Sequence, residues 1–256
     1  MDQHLIPNSS QSELEAAHAP PAIRARLESG PDSNYLKDAI YGAIDGAVTT
    51  FAVISGVAGA GLQESIIIIL GVANLIGDGF SMAASNYLGT RAEEQLRLRL
   101  RHLEEEHIDR IPEGEREEVL QILKKQGFKG DDLQRAVDVI TSDRDRWIEI
   151  MLREEHGVAL SNPDPRKAAL TTFLAFLIIG FLPLLPFVAD VVLPWSLPRP
   201  YLMSTVITSI AFFTVGAIKS RFVSQSWLMS GLETLSVGGA AAGLAYLCGV
   251  IVESLL

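Results

Sequence analysis

The distribution of charge is the feature that most constrains this chain. Acidic and basic residues nearly vanish from five stretches and crowd into the segments between them. Each stretch is long enough to cross a bilayer as a helix, which takes about 20 residues. The average composition decides nothing, because 48% hydrophobic residues is also usual for soluble proteins. The pattern therefore predicts an all-α membrane protein with five transmembrane helices.

The bounds of the five spans follow from length and charge. They are about residues 38–62, 65–90, 168–189, 201–218 and 231–252. Only a few residues around Gly61 join the first two spans, so these spans are predicted to form a tight antiparallel hairpin. Pro183 and Pro186 lie inside the third span and predict a kink there, because proline removes a backbone hydrogen bond.

A charged insert, about residues 91–165, separates the second span from the third. Residues 91–160 contain 18 acidic and 13 basic side chains, and this negative balance argues against nucleic acid as a partner. The pattern predicts three helices, from 93 to 110 as a continuation of the second span, from 113 to 127, and from 132 to 157. Solvated helix faces are also charged, so composition alone favours an ordinary surface over a cation-collecting one.

The two ends of the chain complete the domain organisation. Residues 1–34 are polar and aperiodic and predict a flexible cytosolic tail without a cleaved signal peptide. Residues 35–90 hold the first two spans, 91–165 the insert, and 166–256 the last three spans. Cys248 is the single cysteine, which excludes an intrachain disulfide and a cysteine-based zinc site.

Basic residues set the predicted orientation, because they favour the cytosolic side of a membrane. Those that flank the spans on one side are Arg24, Arg26, Lys37, Lys219 and Arg221. The loops on the other side hold only Arg199. We therefore expect the N-terminus and the insert to be cytosolic and the C-terminus to lie on the opposite side.

A polar stripe runs along the second span. Asn74, Asp78, Met82 and Asn86 follow one another at steps of four residues, which keeps them on one helix face over about 18 Å. A carboxylate inside a membrane is costly unless it lines a wet cavity or binds a cation. Carboxylate, amide and thioether groups suit a divalent transition metal. The stripe therefore predicts metal transport, with Asp78, Met82 and Asn86 as ligands.

Asp45 is a second acid well inside an apolar span. Small residues surround it in the sequence, including Gly42 and Gly46, and they permit close helix approach. A packing hydrogen bond is the alternative for Asp45. Ionisable residues in membranes are usually functional, so we predict that Asp45 faces the pathway.

Possible ligands recur at helical spacing in the insert. They are Glu104 with His107, Glu115 with Glu118, and Met151 with Glu154 and Glu155. If the seven converge, they form one metal site at the cytosolic mouth, whereas spacing alone is equally typical of a solvated face. The Glu-x-x-His element also occurs in di-iron bundles, but those need two copies. A single copy argues against an oxidative enzyme.

Three sequence blocks resemble the vacuolar iron transporter family. They are Tyr-Gly-Ala-Ile-Asp-Gly at 41–46, Gly-Asp-Gly-Phe-Ser-Met-Ala-Ala-Ser-Asn-Tyr-Leu at 77–88, and Pro-Leu-Leu-Pro-Phe at 183–187. The resemblance covers about residues 35–252 in order. It implies five spans, a homodimer with the pathway at its two-fold axis, and proton-coupled export of Fe²⁺ from the cytosol. A plant subgroup of that family lacks the insert, which this chain has.

The resemblance also implies roles for individual residues. In that family an aspartate of the first span and a methionine of the second line the transport site, which here are Asp45 and Met82. The family's cytosolic ligands correspond by order to Glu104, Glu115, Glu118, Met151 and Glu155. His107 stands where the family pattern has another glutamate. A histidine binds metal only when it is neutral, so this departure predicts a more pH-sensitive site.

These observations together predict an antiporter and not an enzyme. We expect it to exchange cytosolic Fe²⁺ for protons, with Mn²⁺ or Zn²⁺ as alternative ions and no organic cofactor. Its partners are then the bilayer, a second copy of the chain, divalent transition-metal ions and protons. The alternative is a membrane-anchored protein that binds or senses iron without transport. A bacterial plasma membrane and a vacuole-like organelle both remain open as its location.

Overall fold

The computed structural model describes residues 10–29, 35–159, 163–194, 197–221 and 223–255. Within these ranges the chain is helical and contains no strand. It divides into two compact units, Met1–Tyr87 with Pro165–Leu256 and Leu88–Asp164. The second unit contains most of the predicted insert.

Five helical segments of the described chain are long and apolar enough to cross a membrane. They are α3 (Leu36–Gly59), α4 (Glu64–Arg110), the broken segment Pro165–Val192, α10 (Pro200–Lys219) and α11 (Trp227–Leu255). A turn with Gly61 in the left-handed conformation (φ 62°) joins α3 to α4. The predicted fold class of an all-α protein with five spans is confirmed.

Proline breaks the third spanning segment, as predicted. Its first part, α8 (Pro165–Phe181), passes through a 3₁₀ turn at Leu182–Leu184 into α9 (Leu185–Val192). The hydroxyl of Ser204 on α10 donates to the carbonyl oxygen of Pro183 at 2.7 Å. In a membrane no water is present to bond a carbonyl at a helix break, so this bond satisfies the Pro183 oxygen and the break is stabilised by the neighbouring helix.

Helices α3 and α8 approach each other closely through glycine. A Cβ atom at Gly42 would lie 2.3 Å from the carbonyl oxygen of Thr172, and one at Gly46 2.4 Å from that of Phe176. No side chain fits at either position, so small residues allow this contact, as membrane helices often require. The contact holds the part of α3 that carries Asp45.

The insert contains one helix more than the sequence predicted. The second half of α4 is followed by α5 (Pro112–Lys125), α6 (Gly130–Thr141) and α7 (Arg144–Glu154). The prediction of a single helix from 132 to 157 is wrong, because Asp143 accepts a hydrogen bond from the backbone N–H of Arg146 at 3.0 Å. An aspartate in this position caps a new helix.

The core of the insert is apolar and continuous. Its fully buried members include Val119, Val137, Ile148 and Met151. Trp147 packs with them. The amphipathic faces of α5, α6 and α7 therefore meet in one core, which fixes the ends of these helices relative to α4.

The described part of the predicted tail is helical, which was not predicted from the sequence. It contains α1 (Gln11–Ala17) and α2 (Pro20–Ser29). Ser10 and Glu13 form a reciprocal capping box at the start of α1, which is a sequence signal for a helix. Residues 1–9 and 30–34 of the predicted tail lie outside the described residues.

Candidate metal sites

Two buried carboxylates lie at the centre of the insert. Glu104 on α4 and Glu115 on α5 are each 1% exposed. The Oε2 atom of each has no hydrogen-bond partner in the described part of the chain. Removing a carboxylate from water costs several kcal/mol unless a charge compensates it. The arrangement is therefore suited to a bound cation.

The ends of α4 and α5 bring these acids together. Glu104 and His107 lie one turn apart on α4 and share a face. Pro112 then begins α5, where its fixed φ and missing N–H cost nothing. Glu115 falls in the first turn of α5, where the helix dipole favours an acid.

Two histidines contact the buried pair from different helices. The Nδ1 atom of His107 is 3.1 Å from Oε1 of Glu115, and Nε2 of His156 is 2.7 Å from Oε1 of Glu104. Two groups have possible ligand atoms within 4.8 Å of one another, namely Glu104 with His107 and Glu115, and Glu104 with Glu155 and His156. Glu104 belongs to both groups. We call the five residues the insert cluster.

Crowding of carboxylates changes their acidity. Burial, followed by the charges of Glu104 and Glu118, raises the pKa of Glu115 to about 7. Burial and the charges of Glu118 and Glu104 also raise the pKa of Glu155. Such shifts occur where like charges are held together, and a divalent cation would reverse them. A proton and a divalent cation would therefore compete for these carboxylates near neutral pH.

The structure brings together only part of the predicted ligand set. Glu104, His107, Glu115 and Glu155 belong to the insert cluster, and the charge of Glu118 acts on two of its acids. The other two ligands predicted in the insert are Met151, whose role stays a prediction, and Glu154. Met151 is fully buried in the apolar core. Glu154 is exposed, with its Oε1 atom 2.8 Å from Nε of Arg153.

His156 is the member that sequence reasoning missed. It follows α7, so helical periodicity gives no direction for its side chain. The available signal was its place directly after Glu155, a predicted ligand.

The spanning unit holds a second group of polar residues, between α3 and α4. The amide of Asn74 donates to the hydroxyl of Thr49 at 3.2 Å. Thr49 lies four residues after Asp45, and Asn74 lies four residues before Asp78. Because the two helices are antiparallel, this bond sets Asp45 and Asp78 at the same level, about one turn away. The two carboxylates are within range of each other's charge.

Asn86 lies on α4 about two turns after Asp78, so the acids are between it and Asn74 along the helix. Its amide donates to Oδ1 of Asp38 at 2.9 Å and to the hydroxyl of Thr172 at 2.7 Å. It therefore links α3, α4 and α8. Its predicted role as a metal ligand stays a prediction.

The remaining residues of the membrane group differ in exposure. Asp45 is half-buried, whereas Asp78 is exposed on the surface of the single chain. Met82 is half-buried and packs against the apolar cluster that contains Phe176. The side chains of the polar stripe are therefore buried to different extents, and Asp78 is the exposed one among these three.

Comparison with known proteins identifies the family. Residues 36–250 match the model described as the VIT family. The chain belongs to this family. The match confirms the resemblance read from the three sequence blocks, and this VIT family member is an integral membrane protein of a transporter family and not an enzyme.

Relatives of this VIT family member are similar over most of their length. Vacuolar iron transporter 1 of Arabidopsis thaliana is 32% identical, over 85% of this chain and 86% of the relative. The vacuolar iron transporter of Toxoplasma gondii is 32% identical, over 86% and 75%. That of Plasmodium falciparum is 29% identical, over 87% and 84%. The similarity thus includes both the spans and the insert.

Proposed function

We propose that this chain carries Fe²⁺ out of the cytosol in exchange for protons. The substrate follows from its relatives, which are named vacuolar iron transporters. The observation that carries the proposal is the pairing of two acid groups, one in the insert and one in the spans. Each group contains carboxylate oxygens that suit a divalent cation.

The insert cluster serves as the site of capture in this proposal. Glu104 and Glu115 present buried oxygens without hydrogen-bond partners in the described chain, and His107 and His156 add nitrogen ligands. Fe²⁺ accepts both kinds of ligand. With the insert in the cytosol, capture there concentrates ions on the side from which they are exported.

Asp45 couples the ion to protons in this proposal. A carboxylate in a membrane is stable either with a bound cation or with a proton. Asp78 at the same level adds a second negative charge, which strengthens the demand for a cation. When Fe²⁺ is released on the far side, Asp45 takes up a proton there. The empty site can then face the cytosol again without a buried charge.

A homodimer completes the membrane site in this proposal. Asp78 is exposed on the single chain, and a carboxylate that faces lipid is costly. A two-fold axis beside α4 places this acid against its copy and doubles the ligands, and such dimers are the commonest assembly. Native mass spectrometry in detergent measures the assembly; we expect a dimer, and a monomer that still transports would contradict this.

Flux measurements in proteoliposomes test the exchange of iron for protons. We expect Fe²⁺ uptake, measured anaerobically with a dye inside the vesicle, to increase when the vesicle interior is acidic. Collapse of the pH gradient with a protonophore should then slow uptake, because protons leave as iron enters. Uptake that is indifferent to the gradient would contradict antiport and favour a channel.

A protein that senses iron without transport is the second candidate. It is favoured by one observation, that the insert cluster lies within a compact unit of its own. In that case the spans serve as an anchor, and Asp45 has no part in the response to metal.

A further inference from the structure

The end of α7 directs His156 toward the buried acids. The backbone N–H of His156 donates to the carbonyl oxygen of Met151 at 3.3 Å. Gly157 follows with φ of 66°, a left-handed conformation that ends helices and favours glycine. The chain therefore turns at this point, and Nε2 of His156 lies 2.7 Å from Oε1 of Glu104 on α4.

His156 and two acids have the spacing of metal ligands. Its Nε2 atom is 3.9 Å from Oε2 of Glu155, and the possible ligand atoms of Glu104, Glu155 and His156 lie within 4.8 Å of one another. Nitrogen and oxygen ligands about 2.1 Å from a tetrahedral ion are about 3.4 Å apart. Small side-chain movements would therefore bring the three onto one ion.

An independent observation points to a cation at this position. Glu104 is 1% exposed, and its second oxygen has no hydrogen-bond partner within the described ranges. His156 contacts the first oxygen. A hydrogen bond from one histidine thus leaves half of this buried carboxylate uncompensated, whereas a divalent ion compensates both oxygens.

The ring of His156 can be reached from solvent. It lines an open cavity of about 410 Å³ whose wall also carries Glu93, Glu94 and Arg97. The His156 side chain is 19% exposed. An ion can therefore reach the ring through this cavity without crossing the apolar core.

We propose that His156 is a metal ligand and that it sets the ion preference of the insert. This inference rests on the proposed function of the insert cluster as a site of metal capture. With His107, two imidazoles stand among the carboxylates. Imidazole suits Fe²⁺ and Zn²⁺, whereas Mn²⁺, Mg²⁺ and Ca²⁺ favour oxygen ligands. The insert therefore prefers Fe²⁺ and Zn²⁺ to Mn²⁺ at the point where ions are captured.

A purely structural histidine is the competing explanation. In that case His156 only holds Glu104 in place, and its loss weakens the binding of every ion equally. His156→Gln retains a hydrogen-bonding group but removes the imidazole. His156→Glu replaces the nitrogen ligand by the oxygen that Mn²⁺ favours. The two variants therefore distinguish a histidine that binds the metal from one that only holds Glu104 in place.

Titration of the full-length protein in detergent tests the inference. Zn²⁺ and Mn²⁺ are added separately to chains that carry Asp45→Asn, so that this membrane ligand does not contribute. We expect His156→Gln to weaken Zn²⁺ binding by about tenfold or more, the size of effect known for groups that support a metal site, and Mn²⁺ binding much less. His156→Glu should lower the preference for Zn²⁺ and maintain Mn²⁺ binding.

His102→Gln is the matched control. His102 lies on α4 with its side chain 83% exposed, and its nearest acid is Glu105 at 3.8 Å. Both affinities should stay unchanged in this variant. Thermal unfolding of each variant verifies that the insert is folded, and His156→Glu provides the comparison if His156→Gln is unstable.

Equal loss of Zn²⁺ and Mn²⁺ binding in His156→Gln, or no loss of either, would overturn the proposal. An unchanged preference for Zn²⁺ in His156→Glu would do the same. Fe²⁺ flux of the chain with Asp45 intact separates this result from the proposed function. Flux without the predicted ion preference contradicts the role of His156 alone, whereas the predicted preference without flux supports that role and contradicts transport.

Discussion

Asp45→Asn is expected to reduce Fe²⁺ flux in proteoliposomes to the level of protein-free vesicles. The amide has nearly the size of the carboxylate, but it carries no charge for the cation and cannot accept a proton. Replacement of groups that only support a metal ligand costs 10–100-fold, so loss of the ligand itself should exceed about a hundredfold. The close contact of Gly46 with α8 is not touched by this change, so the fold should persist.

Metal binding by the insert separates transport from sensing in the same variant. Asp45 and the insert cluster belong to different units, so the insert of Asp45→Asn should bind Zn²⁺ with unchanged affinity. Glu253→Gln is the matched control, because Glu253 is an exposed acid near the end of α11, and its flux should equal that of the wild type. Wild-type flux in Asp45→Asn would contradict the pathway and favour the sensor.

The fold could be predicted because its signals are local. Five apolar stretches give the spans, and Pro183 gives the break, since both depend on residues close together in the chain. The break between α6 and α7 was missed, although Asp143 is a good cap. The apolar pattern continues across this break, and periodicity therefore extended one helix through it. Ser10 and Glu13 were missed for another reason, because a polar tail has no apolar pattern.

The polar stripe of α4 shows the limit of helical spacing. Four-residue steps correctly group Asn74, Asp78 and Asn86 on one side of a helix, but they do not say what each one contacts. Asn74 and Asn86 bind side chains of α3 and α8, whereas Asp78 is exposed. Those partners lie far away in the sequence, so only the packing of three helices determines them.

The predicted ligands of the insert also differ in how far the sequence could predict their positions. Glu104 and His107 lie on one helix, and their proximity follows from spacing. Met151 shares the apolar face of α7 with Ile148, so it is buried in the core. The direction of His156 depends on the positive φ of Gly157, and a sequence pattern does not specify this angle. The sequence therefore could not predict the side-chain direction of a site residue that follows the end of a helix.

Metal should stabilise the insert, and Glu104→Gln should remove that effect. Binding to the folded form alone adds RT ln(1 + [L]/Kd), about 2.7 kcal/mol at a hundred times Kd. Slow amides of α5 and α7 should therefore exchange up to about a hundredfold more slowly in saturating Zn²⁺. Glu104 belongs to both ligand groups, so its replacement should cost more than that of any other member.

Glu154→Gln is the control for this experiment. Glu154 lies one residue from Glu155, but it is exposed and paired with Arg153. The slowing of exchange by Zn²⁺ should be the same as in the wild type. Equal slowing in Glu104→Gln, or its loss in Glu154→Gln, would contradict the ligand groups that the structure brings together.

The pH dependence of the metal-free insert gives the last test of the same cluster. The pKa of Glu115 is raised from 4.5 to about 7 in the folded chain, so the folded state binds more protons than the unfolded one. Stability must then fall as the pH rises through this range. We expect the backbone amides of α5 in metal-free protein to be less protected from hydrogen exchange at pH 8 than at pH 5. Glu115→Gln should reduce this difference, and the raised pKa of Glu155 should account for the remainder.

Zn²⁺ should reverse that loss, because it binds the ionised carboxylates that repel one another at high pH. The slowing of amide hydrogen exchange on adding metal should therefore be larger at pH 8 than at pH 5, after correction for the intrinsic exchange rate. In the proposed site metal and proton share the same buried oxygens, so binding of one should displace the other. A gain independent of pH would mean that the ion binds outside Glu104 and Glu115.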